Sequence, residues 1–383
     1  MELNKARFII ERLKQNNFEA YYVGGCVRDH LLKMESNDID ITTNAKPKDV
    51  LNLFKAVPSG IKYGTVTVIE NDVNIEVTTY RKEANYEDYR RPEEVDLEAK
   101  KEEDVKRRDF TINGLLMDEH YNIYDYVGGI KDLDDKIIRA IGIPKERFNE
   151  DALRLLRAIY FQAKLGFEIE THTLKAIKEH SHLIRHLPNE RVLNELFKLL
   201  KGDYQLMAFK SLEETNLDKE LEGLEKGIKY INNNVTENLY IDTFFTLCFS
   251  LYGKVPNVWK FSNVHKNKYK KAVDLVLKKK EIDVLTLYEN GLEISILANR
   301  VMFYLNIRPL EISKIKKMYH NLEIKSVTDL KVKGSDILKL TDKKQGSWLR
   351  ELLDELVRKV ILKELKNDKE ELLSYCKEKL NEK

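Results

Sequence analysis

The 383-residue sequence predicts an α+β protein, with strands and helices mixed over residues 1–142 and helices alone from there on. Three observations predict it. Short apolar runs with strand character, separated by turn residues, lie between Ala20 and Gly142. Glycine pairs at Gly24-Gly25 and Gly128-Gly129 punctuate that region. From Pro144 onward the apolar residues recur at helical spacing.

Length and composition set the outer bounds. The chain is long enough for two or three domains, each burying its own core. With 42% hydrophobic and 34% charged residues it reads as globular, and no apolar run approaches the length of a membrane-spanning helix. The stretch MELNKARFIIERLKQNN is amphipathic and carries acidic residues where a signal peptide has an uncharged core, so a cytoplasmic location is expected. Cys26, Cys248 and Cys376 are odd in number and far apart, which argues against a disulfide framework and a structural zinc site. His180, His182 and His186 cluster without a further ligand nearby and are expected at the surface. With 66 basic and 64 acidic residues the net charge is only +2, so a nucleic-acid partner requires charge segregated into patches.

Met1 to Gln15 fits an amphipathic helix, and Ala20 to Val23 a short buried strand. Gly24-Gly25 ends that strand where Cys26 to Leu32 begins a helix. Bare N–H groups and a positive dipole there suit a phosphate, and Arg28 one turn in adds charge. Asp38-Ile39-Asp40-Ile41 alternates polar and apolar, so Asp38 and Asp40 emerge on one face. An isolated Asp-x-Asp is commonly a solvated strand end; behind a glycine turn and an arginine it suits a cation. The hard ion that prefers carboxylate oxygen and leaves positions for phosphate is magnesium, Mg2+. Two such ions can hold the attacking and leaving oxygens of an in-line phosphoryl displacement.

Pro47 to Phe54 reads as a helix with proline in its first turn. Thr65 to Ile69 and Val73 to Thr79 follow as strands around a Glu70-Asn71-Asp72 turn. Glu76 faces away from Ile75 and Val77. It joins the acidic pair if its strand lies beside Ile39 to Thr42, and is otherwise a solvent-facing glutamate. Arg81 to Glu103 shows neither period and is expected to be a long mobile loop, with Tyr86, Tyr89, Arg90 and Arg91 available to touch substrate. Arg107, Arg108 and Asp109 precede an apolar run, where arginines reach a triphosphate. Asp125 to Gly142 adds the second glycine turn and a short apolar strand.

Glu150 to Phe161, EDALRLLRAIYF, is expected as one helix with Asp151, Arg154 and Arg157 on a shared face. The plain account is an intrahelical salt bridge worth about 0.2 to 0.5 kcal/mol. Base chemistry supplies a second account. Cytosine and adenine each present an amino donor beside a ring-nitrogen acceptor, which a carboxylate beside a guanidinium complements. Uracil and guanine present the reverse order, so one Asp/Arg edge accepts CTP and ATP and rejects UTP and GTP, by about 10⁴-fold or more when the groups are buried. Leu187 to Leu200 has a proline entry and leucine periodicity. Lys260 to Lys280 and Ser326 to Gly346 are the basic segments, open to either solvated helix faces or RNA contact. Leu349 to Leu380 is a charged helical terminus.

GGCVRD followed by DIDITT resembles the first signature of the class II tRNA nucleotidyltransferases and bacterial poly(A) polymerases, within the polymerase-beta-like nucleotidyltransferase superfamily. KRRDFTINGLLMD resembles the family's second motif, DYVGGIKDLDDKIIRAIG the third, EDALRLLR the fourth and LPNERVLNEL the neck motif, in family order over most of residues 20–200. YEDYRRPEEV resembles the flexible loop of relatives that add the terminal adenosine, and VKGSDILKL with QGSWLRELLDELVRKV the tail that holds the tRNA elbow.

The resemblance implies a polymerase-beta-like head with a mixed sheet (residues 1–142), a helical neck (143–200), a helical body (201–285) and a helical tail that binds tRNA (286–383). It implies that Asp38 and Asp40 bind Mg2+; Glu76, from its strand alternation, is the candidate third catalytic carboxylate. Gly25, Arg28 and Arg108 would contact the nucleotide, Asp151 with Arg154 would read the base, and Arg157 would support that pair or the phosphates. Relatives often carry arginine where this chain has Tyr160. The implied activity is addition of CCA to tRNA from CTP and ATP. Poly(A) addition, CC-only or A-only addition, and a silent RNA-binding relative stand as its rivals.

Overall fold

The computed structural model describes residues 3–36, 38–71, 73–87 and 91–381, with the backbone alone at 70, 73, 83–87 and 91–94. They form two compact units, residues 1–239 with 258–260, and residues 240–257 with 261–383. The division at 239/240 falls inside the 201–285 stretch expected as one body.

The first unit opens with helix α1 (Arg7–Gln15), strand β1 (Ala20–Val23), α2 (Gly25–Leu31), β2 (Asp40–Thr43) and α3 (Pro47–Leu53). Strands β3 (Ala56–Gly60), β4 (Thr65–Glu70), β5 (Val73–Thr79), β6 (Lys82–Glu87) and β7 (Arg91–Asp96) follow, then α4 (Lys101–Lys106), β8 (Leu115–Met117) and β9 (Ile123–Asp125). The main sheet runs β3-β4-β5-β2-β1-β8-β9. It is mixed because β2 and β5 pair in parallel while their other neighbours are antiparallel. Ile41, Val66, Val68, Ile75 and Val77 are buried, as period-two alternation requires of strands whose opposite face carries polar side chains. Tyr21, Val23, Tyr80, Val105 and Leu116 form a second packed layer that joins α4 to the sheet.

Residues Arg81 to Glu103 are not the expected structureless loop. β6 and β7 pair as an antiparallel ribbon, with Lys82 opposite Asp96 and Glu87 opposite Arg91, and α4 starts before the predicted loop ends. A polar sequence lacks the alternation that reveals a strand, so the ribbon is held by its backbone ladder where no apolar period announces it. Tyr89 and Arg90 lie outside the described residues.

Helices continue the unit: α5 (Gly129–Asp134), α6 (Pro144–Glu150), α7 (Leu153–Leu165), α8 (Thr171–His180), α9 (Asn189–Leu199), α10 (Gln205–Glu214) and α11 (Glu225–Asn234). The helix predicted over Glu150 to Phe161 is two helices. Asp151 is extended at φ −137° and ψ 102°, and its Oδ1 accepts the Leu153 N–H at 3.1 Å, so this aspartate starts α7 rather than sitting within it. Of the histidines expected at the surface, His180 is buried, its Nδ1 2.9 Å from the Ala176 carbonyl.

The second unit is helical: α12 (Ile241–Tyr252), α13 (Asn263–Leu277), α14 (Val284–Tyr304), α15 (Ile312–His320), α16 (Gly334–Leu338), α17 (Ser347–Ile361) and α18 (Lys369–Asn381). Phe245, Phe249 and Tyr269 pack on one another between α12 and α13. The charged terminus predicted as one run is α17 and α18, parted at residues 362–368. No helix among the described residues is long and apolar enough to cross a membrane.

Candidate active site

One cleft of about 870 Å³ in the first unit gathers Gly24, Gly25, Arg28, Asp38, Asp40, Arg108, Asp151, Arg154 and Arg157. Those residues are up to 133 positions apart in sequence. The sheet brings the first group together, and α6 and α7 bring the rest.

The turn after β1 comes first. Gly24 sits at φ +77°, and a Cβ there would stand 3.3 Å from Arg108 Nη1 and 3.9 Å from Asp40 Oδ2. Glycine satisfies both the left-handed backbone and the close approach. The helix α2 starts at the next residue.

The acidic edge lies on β2 and β5. Asp40 pairs in register with Glu76, and parallel partners in register point to the same face, so the β5 glutamate flanks the β2 aspartate. Burial raises the Asp40 pKa above the ordinary carboxylate value; Glu76 and Asp38 raise it further, while Arg108 opposes them. Asp38 and Glu76 are exposed. Among the described residues none donates a hydrogen bond to the Asp38, Asp40 or Glu76 carboxylates.

Oxygen-only donors with no hydrogen-bond partner among the described residues fit a hard divalent cation. Among the described residues no three acidic, histidine or cysteine side chains converge closely enough to cage a metal. An ion here would therefore complete its shell from water and substrate phosphate, the habit of Mg2+.

The basic wall is built differently, because every arginine in it has a partner. Arg28 is buried, donates Nε and Nη2 to Asp29 at 2.8 and 2.6 Å and Nη1 to Asn113 at 2.6 Å, and lies over the Phe161 ring at 5.0 Å. Lys164 reaches the other Asp29 oxygen at 2.9 Å. Arg157 donates to Asp109 at 2.5 and 2.7 Å. Burial pushes the Asp109 carboxyl up, but Arg157, Asn113 and the Phe110 N–H outweigh it and hold it at about 2. Arg107 and Arg108 both pair with the buried Asp104.

Asp151 and Arg154 line the cleft without touching as the predicted intrahelical bridge. Arg154 instead donates to Glu150 Oε2 at 2.9 Å and to the Arg147 and Arg107 carbonyls at 3.1 and 2.8 Å. Asp151 Oδ2 faces Arg191 of α9 at 3.4 Å. The break between α6 and α7 sends the two side chains to separate anchors, so each is fixed independently as an acceptor and a donor.

With this geometry in place, the comparisons with known proteins decide the family. A family model described as the poly A polymerase head domain matches residues 20–139. Models described as the probable RNA and SrmB-binding site of polymerase A and as tRNA nucleotidyltransferase domain 2 match residues 166–226 and 241–376. The chain is 37% identical to the CCA-adding enzyme of Bacillus cytotoxicus over 98% of both chains. It is also 37% identical to that of Ligilactobacillus salivarius, over 100% of this chain and 98% of that one. The chain belongs to the CCA-adding tRNA nucleotidyltransferase family. The solved structure of the Bacillus stearothermophilus CCA-adding enzyme in complex with CTP is 31% identical, with a TM-score of 0.86 covering 100% of this chain and 98% of that one. The Thermotoga maritima CCA-adding enzyme complexed with tRNA, at 20% identity and a TM-score of 0.67, shares the fold.

Within this member of the CCA-adding family, the sequence reading missed the anchors of the wall: Asp29, Asp104, Asn113, Lys164, Arg191 and Lys198. Asp104 was legible only as one of several acids in α4, and Lys164 lies 135 residues from its partner Asp29. Tyr160 also lines the cleft. Lys198 of α9 stands 5.9 Å from its ring centroid and so brings a cation to that position.

Proposed function

We propose that this chain adds CCA to the 3′ end of tRNA, taking CTP and ATP and releasing pyrophosphate. The observation that carries the proposal is the cleft in which Asp38 and Asp40, a partnered arginine wall and an Asp/Arg pair converge. The chemistry is metal-dependent nucleotidyl transfer. Asp38 and Asp40 would hold Mg2+, which when bound lowers the pKa of the attacking tRNA 3′ hydroxyl and neutralises charge on the nucleotide phosphates. Glu76 stands in register beside Asp40, where its negative charge would strengthen the hold on the cation.

Gly25 at the start of α2, with Arg28 and Arg108, would orient the triphosphate so that the leaving pyrophosphate lies opposite the attacking oxygen. Asp151 would accept from the amino group of cytosine or adenine and Arg154 would donate to the neighbouring ring nitrogen. Both are anchored by other groups, so neither need reorganise when the base arrives. Arg157, locked on Asp109, would support that pair. In this proposal residues 1–142 act as catalytic head, 143–200 as the selecting neck, 201–285 as body and 286–383 as the tail that grips tRNA, in the cytoplasm.

Incubating tRNA lacking its terminus with CTP, then ATP, and sizing the products tests this. Three ordered additions are expected. An open-ended adenosine ladder, or arrest after two additions with ATP present, would replace it with poly(A) synthesis or CC-only addition.

A further inference from the structure

Asp104 takes no part in the base and phosphate contacts above, yet its side chain has 0% exposure and both its oxygens are occupied. Oδ1 accepts Nε and Nη2 of Arg107 at 2.9 and 2.7 Å and the Arg81 backbone N–H at 3.3 Å. Oδ2 accepts Arg108 Nη2 and the Thr42 hydroxyl, each at 3.3 Å. Thr42 is two residues along β2 from Asp40 and so on the same face of the sheet. Burial alone would drive this carboxyl toward neutrality. Arg107, Arg108 and Arg81 outweigh it, lower its pKa and keep it ionised.

Arg108 is lightly held by comparison. Its Nη2 makes the ion pair to Asp104, and its Nε is buried with no hydrogen-bond partner among the described residues. Its Nη1 and Asp40 Oδ2 border the same vacant Cβ position at Gly24, at 3.3 and 3.9 Å. Even so, among the described residues the ion pair of Arg108 is with Asp104 and not with Asp40. Two carboxylates therefore flank one guanidinium, and the pairing goes to the one that is fully buried.

From this arrangement we infer that Asp104 is a positioning residue that grips Arg108 by one edge and keeps it from closing on Asp40, leaving that carboxylate open to a divalent cation. The inference rests on the proposal that Asp40 is a cation ligand. Without the anionic anchor, Arg108 has spare donors and an unpaired carboxylate within its field. A guanidinium on Asp40 competes with the cation for the same oxygens. The anchor also leaves Nη1 turned toward the cleft.

Direct binding of Mn2+ to the full chain, read by electron paramagnetic resonance with no nucleotide present, tests this. Wild type should bind and Asp40→Ala should not; failure of either overturns the cation assignment itself. Given that control, Asp104→Asn should bind Mn2+ about tenfold more weakly, the size expected when an opposite charge reaches contact with a carboxylate. The double variant Asp104→Asn with Arg108→Gln should return to within about threefold of wild type. Arg108→Gln alone should also change binding by less than about threefold, because Arg108 is already held off Asp40. Unchanged binding in Asp104→Asn, no recovery in the double variant, or an approximately tenfold tightening in Arg108→Gln alone each overturns the inference. The last measurement decides the matter even if Asp104→Asn does not fold.

Discussion

The two sides of the cleft obey opposite rules. The Asp38 and Asp40 carboxylates border the cleft and accept no hydrogen bond from the described residues, and neither does that of Glu76, which stands in register beside Asp40 on β5. Across from them Arg28, Arg154 and Arg157 spend their donors on Asp29 and Asn113, on Glu150 and two carbonyls, and on Asp109. An unpaired, part-buried carboxylate costs stability unless a cation joins it, whereas a partnered arginine gains rigidity and keeps only the donors it needs. On the proposed assignment the acidic edge awaits an ion, whereas the basic wall is already fixed by its own partners.

The sharpest way to break that contrast is to empty the acidic edge. Asp40→Ala should lower nucleotide addition by roughly a thousandfold, for both C and A, because in the proposed site the cation would lose a ligand. Binding of tRNA, measured by filter retention, should stay within about twofold, since phosphate contacts elsewhere carry it. Loss of tRNA binding in step with activity would make Asp40 a folding residue.

Next comes the base edge. Asp151→Ala removes the acceptor while Arg154 keeps its own anchors. Selection of CTP over UTP should fall by about a hundredfold, seen as uridine incorporated at the first position. Unaltered selection would move base reading away from this pair.

The wall should respond in stability more than in chemistry. Asp109→Asn leaves Arg157 without its charged partner and should cost about 2 kcal/mol at pH 7, discounted because Arg157 is partly exposed. The sign with pH follows from the carboxyl held at about 2, below its value in the unfolded chain. Its stabilisation is complete above about pH 4 to 5 and is lost as the pH falls through 2. The difference in melting temperature between wild type and variant should therefore shrink from pH 5 to pH 2. A constant gap would mean that packing, not charge, is what the substitution removes.

The smallest effect is expected at Glu76. Glu76→Gln retains the shape beside Asp40 and removes only field, so addition should slow by about fivefold or less. A loss as large as that of Asp40→Ala would make Glu76 a full member of the ligand set.

Local rules were enough to read several parts of the chain. Gly24-Gly25 stops β1 and starts α2 because only glycine tolerates φ +77° beside Arg108. Asp38 and Asp40 both border the cleft, although the strand expected over both begins only at Asp40, and the helical second half follows from leucine spacing. These are properties of a few consecutive residues, and the sequence by itself determined them. What only the tertiary structure decided depends on residues far apart in the chain. The parallel pairing of β2 with β5 set Glu76 beside Asp40, a choice open in the sequence because either neighbour satisfies the same alternation. The β6–β7 ribbon hid behind a polar composition, since its partner strand and not an apolar face supplies its hydrogen bonds. Asp29 and Arg191 became anchors only when folding carried them to Lys164 and Asp151. Burial then made those charges costly to leave alone, and that cost, which no local pattern encodes, fixed which acid holds which base.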